Sequence, residues 1–197
     1  MRKSLDFFFD VGSPSSYLAW TQLPALCAAH GADLVYRPML LGGVYQATGN
    51  ASPATIPVKG RYTQMDYERH ARRYGVPFQG NPHFPVITLF LMRAVTGIQL
   101  RRPEQLQQLL ACVFKALWID ALNLNDAQLT ARILTEGGFD LAEIERLTQD
   151  AETKAALKAT TQEAVERGVF GAPTLFVGDQ MFFGQDRMDF VREALQS

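Results

Sequence analysis

Apolar and polar positions change rhythm several times along the chain. Leu5-Asp6-Phe7-Phe8-Phe9 is a short aromatic-rich run that predicts a buried strand. Ser13 then offers a helix cap and Pro14 a first helical residue. Tyr17, Leu18, Trp20, Leu23 and Leu26 carry a helix to about His30, where Gly31 ends it. Pro24 lies inside that helix, where a missing backbone donor predicts a kink. Ala32 to Met39 alternates and predicts a second strand, parallel to the first through the helical crossover.

Leu41 to Gly60 is rich in Gly, Pro, Ser and Asn, and predicts a long loop with one helical turn. From Arg61 to about Gly168 the pattern is helical. Helices are expected over residues 62–74, 85–96, 103–122, 127–136, 141–148 and 150–167, with Pro103 at a start and Gly137-Gly138 after an end. Phe114, Leu117 and Trp118 form one apolar face. The last residues return to strand texture: a strand over 173–177, a Gly178-Asp179 turn, a strand over 181–183 and a helix over 186–195. No internal repeat is visible.

The 197 residues suffice for one domain with a large insert. A formal net charge of −1 argues against a nucleic-acid surface. Asp6 and Asp10 interrupt the first apolar run, so it reads as a strand and not as a signal peptide. No run approaches the ~18 apolar residues of a membrane span. Cys27 and Cys112 are far apart and predict two reduced thiols in helices, which fits a cytoplasmic setting. His30, His70 and His83 are scattered, so no metal site is expected.

The order is βαβ, a helical block, then ββα. That is an α/β, thioredoxin-like layout with residues 1–45 and 168–197 forming the thioredoxin-like unit, and 46–167 a loop plus an all-helical insertion. Two features sharpen it. Ser13-Pro14-Ser15-Ser16 stands at a helix start with the spacing of a C-x-x-C motif. Gly171-Ala172-Pro173-Thr174 stands just before the third strand, where such folds carry a cis-proline.

Several segments carry a family resemblance: 8–17 with Asp10 and Ser13, 37–43, Gly49-Asn50, 59–62, 81–85 and 169–174, and last Phe183-Gly184-Gln185-Asp186-Arg187. Together they resemble the DsbA-like thioredoxin superfamily, in the branch of 2-hydroxychromene-2-carboxylate isomerases and kappa-class glutathione transferases. The resemblance implies glutathione as cofactor and Ser13 as the catalytic group at its sulfur. It implies glutathione contacts at Asn50, Lys59, Ala172, Pro173 and Asp186, with Gln185 in a place where relatives often carry a smaller residue. Tyr17, His83 and Phe84 are candidates for the wall of a pocket for a small aromatic-derived substrate. A homodimer is expected too, both from the resemblance and because the run from Phe84 to Met92 has hardly any polar face.

The chemistry agrees with that expectation. A glutathione thiol titrates near 8.5, so only about 3% is thiolate at pH 7, and lowering its pKa by about two units takes roughly 2.7 kcal/mol. A helix N-terminus with unpaired N–H groups and a serine hydroxyl can supply such an amount. Serine forms no disulfide, so the nucleophile must come from a bound thiol. Isomerisation that returns glutathione, transferase or peroxidase chemistry that consumes it, and a non-catalytic binding role stay open at this point.

Overall fold

The computed structural model describes residues 2–196. Its sheet has four strands in the order β2-β1-β3-β4: β1 (Ser4–Phe9), β2 (Asp33–Pro38), β3 (Thr174–Val177) and β4 (Gln180–Phe183). β1 runs parallel to β2, and antiparallel to β3, which pairs antiparallel with β4. The short β1 is central because its side chains suit burial on both faces. Phe7 and Phe9 stack at 4.8 Å within the main core. Phe8 points the other way, onto Met39, Val44, Ala164 and Phe176. The β3–β4 link is the expected two-residue turn, with Gly178 at φ 58°.

Nine α-helices surround the sheet among the described residues. α1 (Pro14–Ala29) runs through Pro24 without a break. α2 (Leu41–Thr48) and α3 (Pro57–Tyr74) follow, with α4 (Leu89–Arg101), α5 (Leu106–Trp118), α6 (Ala127–Glu136), α7 (Leu141–Gln149) and α8 (Ala151–Glu166) completing the insert, and α9 (Met188–Gln196) closing the chain. Their starts are encoded locally. Asp126, Asp140 and Asp150 each accept a hydrogen bond from a first-turn backbone N–H of α6, α7 and α8.

Three expectations need correction. The loop over 41–60 contains α2, a 3-10 turn at Pro53–Thr55, and the first turn of α3. A Cβ at Gly43 would already stand 3.2 Å from Thr161 Cγ2, so this glycine serves close packing of α2 on α8. The helix expected from Pro85 begins at Leu89, after an extended stretch with a cis Phe84–Pro85 bond. Within that run Leu91 and Met92 are buried while Ile87 is 79% exposed, so it is one core edge and not one helix. The helix expected over 103–122 is a 3-10 turn followed by α5, which ends at Trp118.

Candidate active site

A cleft of about 680 Å³ opens where the two halves of the sheet meet the insert. That is an ordinary size for a small-molecule site. The β1–α1 loop supplies Gly12 and Ser13. α2 and α3 supply Tyr45, Gly60, Thr63 and Tyr67. Phe84, Val86, Thr88 and Trp118 come from the insert, and Phe170, Ala172, Phe183, Gln185 and Asp186 from the C-terminal half.

Ser13 sits at the centre. It caps α1, its Oγ accepting from Ser16 N at 3.2 Å, and that same hydroxyl donates to the carbonyl of Ala172 at 2.9 Å. The Ala172–Pro173 bond is cis, as expected. Pro14 has no N–H to offer, and the N–H groups of Ser15 and Ala172 have no hydrogen-bond partner among the described residues. Both belong to residues lining the cleft. The cleft therefore presents two backbone donors and one hydroxyl at the positive end of a helix, a natural seat for an anionic sulfur beside a peptide-like backbone.

The loop carrying Ser13 is held from below by Asp10, 1% exposed. Its carboxylate accepts from Gly12 N and Leu41 N, both at 2.9 Å, and from Thr88 Oγ1 at 3.0 Å. Burial pushes its pKa up while these three donors pull it down. One carboxylate thus ties the β1–α1 loop, the start of α2 and the approach to α4. Trp118 Nε1 adds a brace to Val11 O at 2.9 Å. Gly12 has no room for a side chain, since a Cβ would stand 2.6 Å from Thr88 Cγ2.

The other expected site residues divide into two groups. Asn50, Gln185, Asp186 and Phe84 line the cleft. Asn50 Nδ2 donates to Phe170 O at 2.7 Å, bridging the end of α2 to the residue-170 loop. Gln185 is 4% exposed; its Oε1 accepts from Ser15 Oγ and its carbonyl accepts from Tyr74 Oη at 2.6 Å. Asp186 pairs with Arg187, and the φ of 98° at Gly184 lets the chain turn closely under it.

Lys59, Tyr17, His83 and Pro173 are outside the cleft wall. Lys59 lies in the first turn of α3 with its side chain exposed, whereas its neighbour Gly60 faces inward. Tyr17 is a core residue, 2% exposed, whose hydroxyl donates to Pro77 O at 2.6 Å. His83 is exposed because Asn81 Oδ1 accepts from its backbone N–H, turning the chain there. Pro173 is buried behind Ala172. Sequence reasoning missed the roles of Asp10, Thr88, Tyr45 and Tyr67. Asp10 was visible as an acid at the end of an apolar strand, an unusual place for one; Tyr45 and Tyr67 left no signal, since α2 read as loop.

A parallel-then-antiparallel sheet, a helix capped by the first serine of S-P-S-S and a facing cis-proline define a thioredoxin-type site. The DSBA-like thioredoxin domain model matches residues 4–196, and the chain belongs to that family. Within it the chain falls in the branch of isomerases and kappa glutathione transferases. It is 30% identical to 2-hydroxychromene-2-carboxylate isomerase of Sphingobium xenophagum, over 99% of each chain. It is 27% identical to glutathione S-transferase kappa 1 of Homo sapiens, over 98% of this chain and 91% of that one. A solved 2-hydroxychromene-2-carboxylate isomerase superposes with a TM-score of 0.82 at 29% identity, covering 98% of this chain and 94% of that one. These relatives are enzymes, and this chain is an enzyme of their family.

Among the described residues no group of His, Cys, Asp and Glu could hold a metal ion, and no helix is long and apolar enough to cross a membrane. Cys27 and Cys112 are unpaired.

Proposed function

We propose that this chain is a glutathione-dependent isomerase acting on 2-hydroxychromene-2-carboxylate or a related intermediate of aromatic degradation. The observation that carries the reading is Ser13 at the N-terminus of α1, hydrogen-bonded across the cleft to the residue before a cis-proline. The residues present fit glutathione. The free N–H and the carbonyl of Ala172 form an edge suited to the backbone of a cysteinyl residue. Gln185 and Asp186 lie at the start of the last helical segment, within reach of an amino-acid head group, and Asn50 flanks the opposite side. When bound, glutathione supplies the thiolate that the chain itself lacks.

Ser13 then acts as a switchable donor. In the structure its hydroxyl hydrogen is given to Ala172 O. A peptide N–H arriving at that carbonyl competes for it and frees the hydroxyl to turn toward sulfur. The Ser15 N–H and the α1 dipole add to the same field. Phe84, Val86 and Trp118 exclude water from the far side of the cleft, where an aryl group belongs.

The assignment to a reducing, cytoplasmic setting rests on the two unpaired thiols. Assembly as a homodimer is supported by α3. One face of that helix lines the cleft with Gly60, Thr63 and Tyr67, while the opposite face exposes Val58, Tyr62 and Met65 at 64%, 56% and 48%. A stripe of this kind on an 18-residue helix with only Ala71 buried calls for a covering surface.

Product analysis tests the function. Incubation with glutathione and 2-hydroxychromene-2-carboxylate should yield the ring-opened trans-alkene keto acid with the glutathione concentration unchanged. A thioether or oxidised glutathione in stoichiometric amount would instead assign the chain to the transferase or peroxidase activity of its kappa relatives. Absence of glutathione binding in calorimetry would sink both.

A further inference from the structure

Tyr45 of α2 and Tyr67 of α3 both line the cleft; the Tyr67 ring packs edge-on against Phe78, but neither hydroxyl is used by the fold. Among the described residues neither hydroxyl makes a hydrogen bond, and neither is sealed off as a buried polar atom without a partner. Other tyrosines behave differently: Tyr17 and Tyr74 each give their hydroxyl to a carbonyl. A half-buried phenol that points at a ligand cleft with a free O–H is a donor waiting for an acceptor.

The two phenols are close enough to act on each other electrostatically. Burial pushes Tyr45 up, with the charge of Asp10 adding to it. Burial pushes Tyr67 up to about 12, with Tyr45, Asp66 and Asp186 adding to it. Both therefore remain protonated donors throughout the neutral range. Their surroundings also select the acceptor. Asp10, Asp66 and Asp186 line the same cleft, and its one cation among the described residues, Arg187, is already paired with Asp186. The substrate of the isomerase reading carries both a carboxylate and a ketone. The three carboxylates near the phenols disfavour the group that is fully charged in the ground state at this position, and leave the ketone oxygen, which gains charge only as addition proceeds.

We propose that Tyr45 and Tyr67 together bind the ketone oxygen of an aryl-substituted unsaturated ketone, and so select the electrophile. The proposal rests on the isomerase reading for the identity of the substrate. When a nucleophile adds to the far carbon of such a ketone, the new bond displaces the C=C electron pair toward the carbonyl carbon, and the C=O pair moves onto oxygen. Two phenols at that oxygen strengthen their hydrogen bonds as charge gathers there, which is the behaviour of an oxyanion site. Elimination of the nucleophile returns both pairs.

The test uses Tyr45→Phe, Tyr67→Phe and the double variant, which keep both rings and remove only the hydroxyls. Benzylideneacetone, an aryl enone without a carboxylate, and cinnamate, the matching acid without a ketone, are titrated into the full-length protein without glutathione, with binding followed by tryptophan fluorescence. Each single variant should weaken benzylideneacetone by about three- to tenfold, the range of one neutral hydrogen bond, and leave cinnamate within about twofold. Turnover of the isomerase substrate should fall further than enone binding does, by about ten- to a hundredfold. Unchanged enone affinity overturns the proposal, as does an equal loss for cinnamate. A wild-type protein that binds no glutathione sinks the isomerase reading by itself and leaves the enone comparison to decide the role of the two phenols.

Discussion

Replacing Ser13 by alanine removes one oxygen with two jobs. As a cap it accepts from Ser16 N at 3.2 Å, and loss of such a cap costs about 0.5–2 kcal/mol of stability. As a donor it now serves Ala172 O at 2.9 Å, and in the proposed complex it serves sulfur. A hydrogen bond to a charged group is worth about 1.5–3 kcal/mol, and one pKa unit corresponds to about 1.36 kcal/mol. The thiol of bound glutathione should therefore rise by about one to two pKa units in Ser13→Ala. From the value of about 6.5 that a two-unit depression gives, its thiolate fraction at pH 7 should fall about three- to twenty-five-fold, with turnover following. Glutathione affinity should stay within about tenfold, because Ala172, Gln185 and Asp186 are untouched. Thiolate absorbance of the complex, followed across pH for both proteins, measures the shift directly. Wild type must show a pKa below the free value of about 8.5. An indistinguishable thiolate pKa in the variant would refute the role given to Ser13, whatever happened to the rate.

Gly12→Ala should lower stability by about 1–3 kcal/mol, read from urea midpoints, because its Cβ would meet Thr88 Cγ2 at 2.6 Å; an unchanged midpoint would mean that the Asp10 tie is looser than described. Cys27, pushed up to about 11 by burial and by the charge of Asp33, should resist iodoacetamide at pH 8 while Cys112 reacts first, as peptide mass mapping would show. Because the folded pKa of Cys27 lies above the unfolded value of about 8.5, its contribution to stability is intact below that pH. It is lost as pH rises toward 11, which urea midpoints between pH 8 and 11 would follow. For assembly, light scattering should give twice the chain mass of 22.0 kDa, and Tyr62→Glu with Met65→Glu should return it to 22.0 kDa; a monomeric wild type would count against the stripe as an interface.

The sheet and the site centre were legible in the sequence, and the reasons are local. Strands β1, β3 and β4 announce themselves by aromatic and β-branched runs with a Gly-Asp turn, and Ser13-Pro14 is a helix start by its own chemistry. The cis bond before Pro173 followed from layout and family resemblance, since sequence alone gives cis a low prior. What stayed hidden depends on neighbours distant in the chain. Gly43 read as part of a loop, because Thr161, which limits its size, lies 118 positions away. Lys59 and Gly60 could not be told apart before the phase of α3 was known, and that phase decides which faces the cleft. Tyr17 lost its place in the pocket to the carbonyl of Pro77, a partner that no spacing reveals.

The side chain of Ser16 is fully buried, and its hydroxyl oxygen has no hydrogen-bond partner. An unmatched hydroxyl in such a place costs about 1–3 kcal/mol. A thiol there would cost far less, since sulfur donates and accepts weakly and prefers an apolar setting. The first turn of α1 is therefore shaped for sulfur at one of its two motif positions while carrying oxygen at both. Exchanging oxygen for sulfur at Ser13 and Ser16 would set a thiol pair with C-x-x-C spacing at this helix start, and the dry niche around Ser16 would hold the second thiol at less cost than the hydroxyl it now encloses.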